Sequence, residues 1–206
     1  MDKIRDINIS YYNKNAEIWA AQKTNSFFHE EGFRKFHALL KDDDSVIDIG
    51  CAYGIHVPLF LGIGRNLNYM GFDISEKMVE IARSHYPQIS FGVADILSPT
   101  TLPSKKFEGF WAGAVLMHIP EEQWEGMLGN IEDLCKPGAV GYFTMPDARP
   151  HEKSNEDQRH FSIIPKERLE EMLKKRGWEF IEKGYFPQDS RSIWHWYLVR
   201  LPGYIR

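Results

Sequence analysis

In the run VIDIGCAYGIHVPLFLGIG, Val46 to Gly64, a β-branched apolar segment breaks at Gly50, Ala52 and Gly54 and then takes up helical spacing. Small residues at such a corner let the backbone approach a ligand and adopt dihedrals that a Cβ opposes. A helix opening after Gly54 would add free N–H groups and a partial positive charge. Asp73 lies 19 residues beyond Gly54 and closes the next apolar run, where an acid can accept hydrogen bonds from both hydroxyls of a ribose. The combination reads as a nucleotide-binding corner. The plainer reading makes the turn a packing device and Asp73 a cap for the helix behind it.

More reactive groups stand at matching places further on. Asp95 ends ISFGVAD, His118 sits in LMHIP, and Asp147 follows AVGYFTM. Open α/β sheets bind ligands outside the carboxyl ends of their strands, so these side chains are expected along one edge. Near pH 7 a neutral imidazole at His118 can accept a proton, and it can equally serve to position a neighbour. Arg159 and His160 precede FSII and can be drawn back over the cleft, where an arginine would suit an anionic substrate. His151 reads as part of a solvated loop.

The elements that must position these groups follow from periodicity. Residues 9–40 read as two helices, with Tyr12, Ala16 and Trp19 on one face of the first and Phe33, Phe36, Leu39 and Leu40 on the second. SVIDIG is a buried strand and IHVPLFLGIG a helix. LNYMGFD is a strand, and Ser75 caps EKMVEIARSHY. ISFGVAD is a strand, TTLPSKK a loop, and FEGFWAGAVLMHI one long strand. EEQWEGMLGNIEDLC is an amphipathic helix ended by KPG, before the strand AVGYFTM. After a long polar excursion, Pro165 opens a helix, and WEFIEKGYF and SIWHWYLVRL pair antiparallel. Such alternation argues for a Rossmann-like, doubly wound α/β sheet of seven strands, mostly parallel with an antiparallel last strand, plus N-terminal helices. The expected organisation is a single domain: a helical cap over residues 1–44, a cofactor-binding core over 45–145, and a substrate-side loop, helix and strand pair over 146–206.

The whole chain narrows the function. Its 206 residues carry 25 basic and 29 acidic side chains, a net charge of −4, so no basic stripe points to nucleic acid. The two cysteines, Cys51 and Cys135, make neither a metal spacing nor a disulfide framework, which suits a reducing, cytoplasmic setting. The N-terminus lacks the apolar centre of a signal peptide, and no run approaches the ~20 apolar residues of a membrane span. No metal is expected. Cys51 has no adjacent base to make it a nucleophile.

The order of these segments resembles the class I S-adenosylmethionine-dependent methyltransferases, small-molecule type. Asp48-x-Gly50-x-Ala52-x-Gly54 resembles their motif I, with the tight spacing that separates it from the G-x-G-x-x-G of nicotinamide-dependent oxidoreductases. GFDISEKMVEIAR, GVADI, the fourth-strand run and LCKPGAVGYFTM follow in the family's order, closely over roughly 45–145 and loosely beyond. Ala52 departs from the family's middle glycine and Ala139 from a turn glycine. The resemblance implies S-adenosylmethionine (SAM) as cofactor and S-adenosylhomocysteine (SAH) as product. It implies that Asp48 orders the turn and reaches the cofactor's amino group through water, and that Gly50, Cys51, Ala52 and Gly54 lie along the methionine portion. Asp73 would take the ribose, Ile74 a ring face, and Asp95 with Ile96 the adenine. His118 and Asp147 are the catalytic candidates. Tyr11, Tyr12 and Trp19 would form a lid, with Arg159 and His160 on the substrate side.

Methyl transfer needs donor and acceptor held in line, and no conspicuous catalytic group is required. The sequence lacks the motifs of amino methylation on bases or glutamine and of cytosine-C5 methylation. The expected acceptor is a small molecule methylated on oxygen, nitrogen, sulfur or carbon, and the protein a monomer or homodimer with no nucleic-acid or membrane partner. The alternatives are a wobble-uridine tRNA methyltransferase and a catalytically silent binding protein that keeps the fold.

Overall fold

In a computed structural model describing residues 3–22, 30–62, 64, 66–149, 157–187 and 193–203, helices α1 (Lys3–Ala21) and α2 (Glu30–Ala38) precede the first strand. There follow β1 (Ser45–Ile49), α3 (Val57–Gly62), β2 (Asn68–Asp73), α4 (Glu76–His85), β3 (Ser90–Val93) and β4 (Phe107–Ala112). The chain continues through α5 (Trp124–Leu134), β5 (Cys135–Pro146), α6 (Lys166–Lys175), β6 (Glu179–Pro187) and β7 (Ile193–Arg200). His151 lies outside the described residues.

The strands form one seven-stranded sheet in the order β3-β2-β1-β4-β5-β7-β6. All neighbours are parallel except β7, which runs antiparallel to both β5 and β6. This is the doubly wound sheet that the alternation of elements predicts. The order turns back between β1 and β4, so the connections after these two strands leave in opposite directions and open a crevice at their carboxyl ends.

Period-2 alternation sorts the core. Ile47 and Ile49 of β1 join Phe110, Phe143 and Val199 beneath α5 and α6, where Trp124, Ile131, Leu169 and Leu173 are buried. Val46, Trp111, Tyr142 and Leu198 face the other way, toward Phe33 and Phe36 of α2, Phe60 of α3 and Val79 of α4. Trp111 stacks on Tyr142 at 4.0 Å between centroids. A third cluster joins α1 to the motif turn and α4, with Ala16, Tyr53 and Met78 buried and Tyr12, Trp19 and Ala52 packed against them.

Several boundaries differ from the sequence reading. Helix α1 begins at Lys3, because tertiary contacts hold its polar first turns. Helix α3 begins only at Val57 and runs six residues, so 50–56 is turn rather than helix start. Strand β4 stops at Ala112: Ala114 has φ +55° and a 3-10 turn covers Leu116–His118, so His118 stands on a turn beyond the strand. Lys136 to Gly138 lie within β5, where a bulge opposite Phe107 and Gly109 absorbs them. Ser75 caps α4 as expected, its hydroxyl accepting from the Met78 N–H at 3.2 Å.

Candidate functional site

Beyond the carboxyl ends of β1, β2 and β3 lies a narrow slot. Ile49, Phe72, Ile74, Ala94, Ile96 and Val115 give it apolar walls. Asp73, Asp95 and His118 supply its polar points, and Arg5, Asn8 and Tyr12 of α1 roof it.

The motif turn is fixed by backbone bonds. The Gly50 and Cys51 N–H groups both donate to the Phe72 carbonyl, at 2.8 and 3.0 Å, which staples the turn to β2. Gly50 has φ +72°, and a Cβ there would lie 2.4 Å from Val115 Cγ2, so only glycine fits. Ala52 holds the same left-handed region at φ +47° despite its methyl. Gly50 lines the slot. Cys51 is wholly buried, and burial pushes its thiol far above the ordinary range, so it is an inert packing group. Ala52 packs against the α1 cluster, and the Gly54 N–H closes a turn on the Cys51 carbonyl at 2.9 Å.

Asp73 binds the turn to the next corner. Its carboxylate accepts from the Ala52 N–H at 2.9 Å and the Ser75 N–H at 2.8 Å. Burial raises its pKa to about 6 against the lowering effect of these donors. Each oxygen keeps a further lone pair for a ligand hydroxyl. Asp95 lies across the slot, its Oδ1 accepting from the Leu97 N–H at 2.9 Å and its Oδ2 from Arg5 Nε at 2.6 Å.

Asp48 is turned away from the slot. Strand alternation sends it to the α3 face, where its Oδ2 accepts from the Tyr69 hydroxyl at 2.6 Å and meets His56 Nδ1 at 3.0 Å. All three are buried. The sequence reading missed His56 and Tyr69. The available signal was registry: Tyr69 pairs with Val46, two residues from Asp48, and so shares its face.

His118 is held at both nitrogens. The His160 carbonyl can only accept, so Nδ1 carries the proton and donates to it at 2.8 Å. Nε2 then accepts from the Tyr12 hydroxyl at 2.7 Å. Burial lowers its pKa to about 4, so the ring is neutral at pH 7, and burial raises Tyr12 to about 12. Arg159 extends the chain by donating from Nη1 to the Tyr12 hydroxyl at 3.1 Å. Its Nε and Nη2 grip the Asp157 carboxylate, each at 2.9 Å, and its plane lies 4.4 Å from the Tyr11 ring centre. Every donor nitrogen of Arg159 therefore has a partner within the protein, and the residue pins the 157–162 segment to α1. His160 turns its ring to Ser162 Oγ at 2.9 Å.

Asn8 was also missed: it donates to the His118 carbonyl at 3.2 Å and accepts from the His160 N–H at 3.2 Å. Its signal was spacing, since Arg5, Asn8, Tyr12, Ala16 and Trp19 fall on one stripe of α1. Asp147 is not brought to the slot. It is exposed, and its carboxylate accepts from the Ile193 N–H at 2.8 Å, closing β5 on β7. Among the described residues no group of acids, histidines and cysteines is disposed to hold a metal, and no helix is long and apolar enough to cross a membrane.

A family model described as a methyltransferase domain matches residues 46–138. The trans-aconitate 2-methyltransferase of Methylobacterium radiotolerans is 32% identical over 101 residues, 49% of this chain and 37% of that protein. That of Delftia acidovorans is 30% identical over 122 residues, 59% and 44% of the two chains. The chain thus spans less than half the length of these curated relatives. Among solved structures, magnesium protoporphyrin IX methyltransferase from Synechocystis PCC 6803 with bound SAH superposes with a TM-score of 0.74 at 15% identity, over 97% of this chain and 100% of that one. The [4+2]-cyclase SpnF gives 0.65 at 16% identity, over 84% and 81%. At these identities the structures speak for the fold alone.

Proposed function

We propose that this chain is a class I S-adenosylmethionine-dependent methyltransferase that binds SAM, passes the methyl group to a small-molecule acceptor and releases SAH. The observation that carries the reading is one slot lined at once by Gly50, Asp73, Ile74, Asp95 and Ile96, which lie on three different strand ends. The residues fit the cofactor: an apolar cleft suits a purine, and the spare lone pairs of Asp73 suit a diol.

When bound, SAM supplies an activated sulfonium methyl. Asp73 holds the ribose hydroxyls, Asp95 and Ile96 take the adenine edge, and Ile74 covers a ring face. The backbone from Gly50 to Gly54 backs the methionine portion, and Cys51 packs beneath it. Asp48 acts through the fold, anchoring the motif strand to His56 and Tyr69. His118 is assigned a positioning role: its only lone pair is spent on Tyr12, which it holds over the slot. Tyr11, Tyr12 and Trp19 on α1, pinned by Arg159 and His160, exclude water from the reaction. Asp147 is assigned to strand closure rather than to catalysis.

The division into a cap over 1–44, a cofactor core over 45–145 and an acceptor side over 146–206 follows the same reading. We place the protein in the cytoplasm, where its two free, buried cysteines stay reduced, as a monomer or homodimer without nucleic-acid or membrane partners. Calorimetric titration with SAM, SAH and NAD tests the cofactor. Micromolar binding of the first two and none of NAD is expected, and failure of both adenosyl ligands refutes the proposal. Trans-aconitate is the first acceptor to assay, given the relatives' names, before a wider panel of small molecules. Cofactor binding without turnover on any of them would favour the silent binding protein.

A further inference from the structure

We infer that α1 gates the cofactor slot through Arg5, whose pairing with Asp95 competes with adenine recognition by Asp95; the inference rests on the cofactor reading above. With Leu97 N–H on Oδ1 and Arg5 Nε at 2.6 Å on Oδ2, both Asp95 oxygens are engaged. Only 7% of the Asp95 side chain is exposed, so an incoming amino group competes with Arg5 for what acceptor surface remains on the slot side.

The rest of α1 reinforces the closure. Asn13 Oδ1 accepts from the Ser75 hydroxyl at 2.7 Å and the Lys77 N–H at 3.2 Å, beside the Asp73 corner. Tyr12, Ala16 and Trp19 pack with Ala52 of the motif turn. One helix therefore sits on the adenine acid, the ribose corner and the methionine turn together. A ligand that touches all three must enter beneath it. Arg5 is the release point. Its side chain is 41% exposed, and Asp6 Oδ1 waits 3.8 Å from its Nη1 as a second, solvent-facing partner. The guanidinium can leave Asp95 without losing an acid to pair with, and the buried carboxylate would then be satisfied by the incoming amino group in its place.

The test is SAH binding to wild type and Arg5→Gln, by calorimetry and stopped-flow fluorescence, with melting curves to confirm folding. Gating predicts that Arg5→Gln associates faster and binds about threefold to tenfold tighter, the size of one charge-assisted contact removed from the closed state. Binding by the variant and not by wild type would support the gate further. Equal binding would overturn it, and weaker binding would show that Arg5 retains the cofactor instead. If neither protein binds SAH or SAM, the cofactor reading fails, and the gate with it.

Discussion

Lowering the pH from 7.5 to 5 should weaken cofactor binding about tenfold through Asp73 alone. Burial raises this carboxyl to about 6 in the unliganded protein. A ribose diol donates hydrogen bonds, so the ligand binds the ionised form. At pH 7.5 nearly every molecule is ionised, whereas at pH 5 only about one in eleven is, a loss of about 1.4 kcal/mol. Binding at pH 6 should release about half a proton, measurable by calorimetry in buffers of different ionisation enthalpy. The sign for stability is the opposite of the usual carboxylate. The folded state holds the proton more tightly than the unfolded chain, so this residue's contribution falls by up to about 3 kcal/mol as pH rises from near 4 through 6. Glu108 and Asp157, held at about 2 by hydrogen bonds and cationic neighbours despite burial, contribute stability above their unfolded values and lose it only in stronger acid. They leave the window from pH 5 to 7.5 undisturbed. Asp73→Asn should bind weakly and independently of pH. A wild-type affinity that is flat from pH 5 to 7.5 would refute the reasoning.

Other perturbations probe the turn and the latch. Gly50→Ala meets Val115 and a left-handed φ, and should cost about 2–4 kcal/mol in urea unfolding; adding Val115→Ala should recover part of it, and a neutral Gly50→Ala would contradict the geometry. Ala52→Gly relieves φ +47° and should stabilise by about 0.5–1 kcal/mol, with a loss counting against strain at that position. The His118 ring should show no NMR titration between pH 5.5 and 8, because burial keeps its pKa near 4; a midpoint near 6.5 would return it to the list of general bases. Asp157→Asn strips Arg159 of its bidentate partner and should cost about 3–5 kcal/mol, read as a lower melting temperature.

What could be read from sequence was what depends on neighbours along the chain. Alternating buried strands and amphipathic helices set the sheet, and the small-residue corner with Asp73 beyond it marked where a nucleotide would lie, because backbone conformation and strand ends are local consequences of residue type. Facing and partnership were harder. Asp48 looked like a site residue because it adjoins the turn, yet strand parity sends it to His56 and Tyr69. Arg159 looked available to an anion until the fold brought Asp157 and Tyr12 to it. His118 looked like a base, but its proton affinity is set by burial and by a carbonyl 42 residues away in sequence. Charge state and hydrogen-bond commitment depend on the dielectric and donors that distant segments bring together. Only the tertiary structure could therefore decide that the polar stripe of α1 roofs the slot and that Arg5 lies on Asp95.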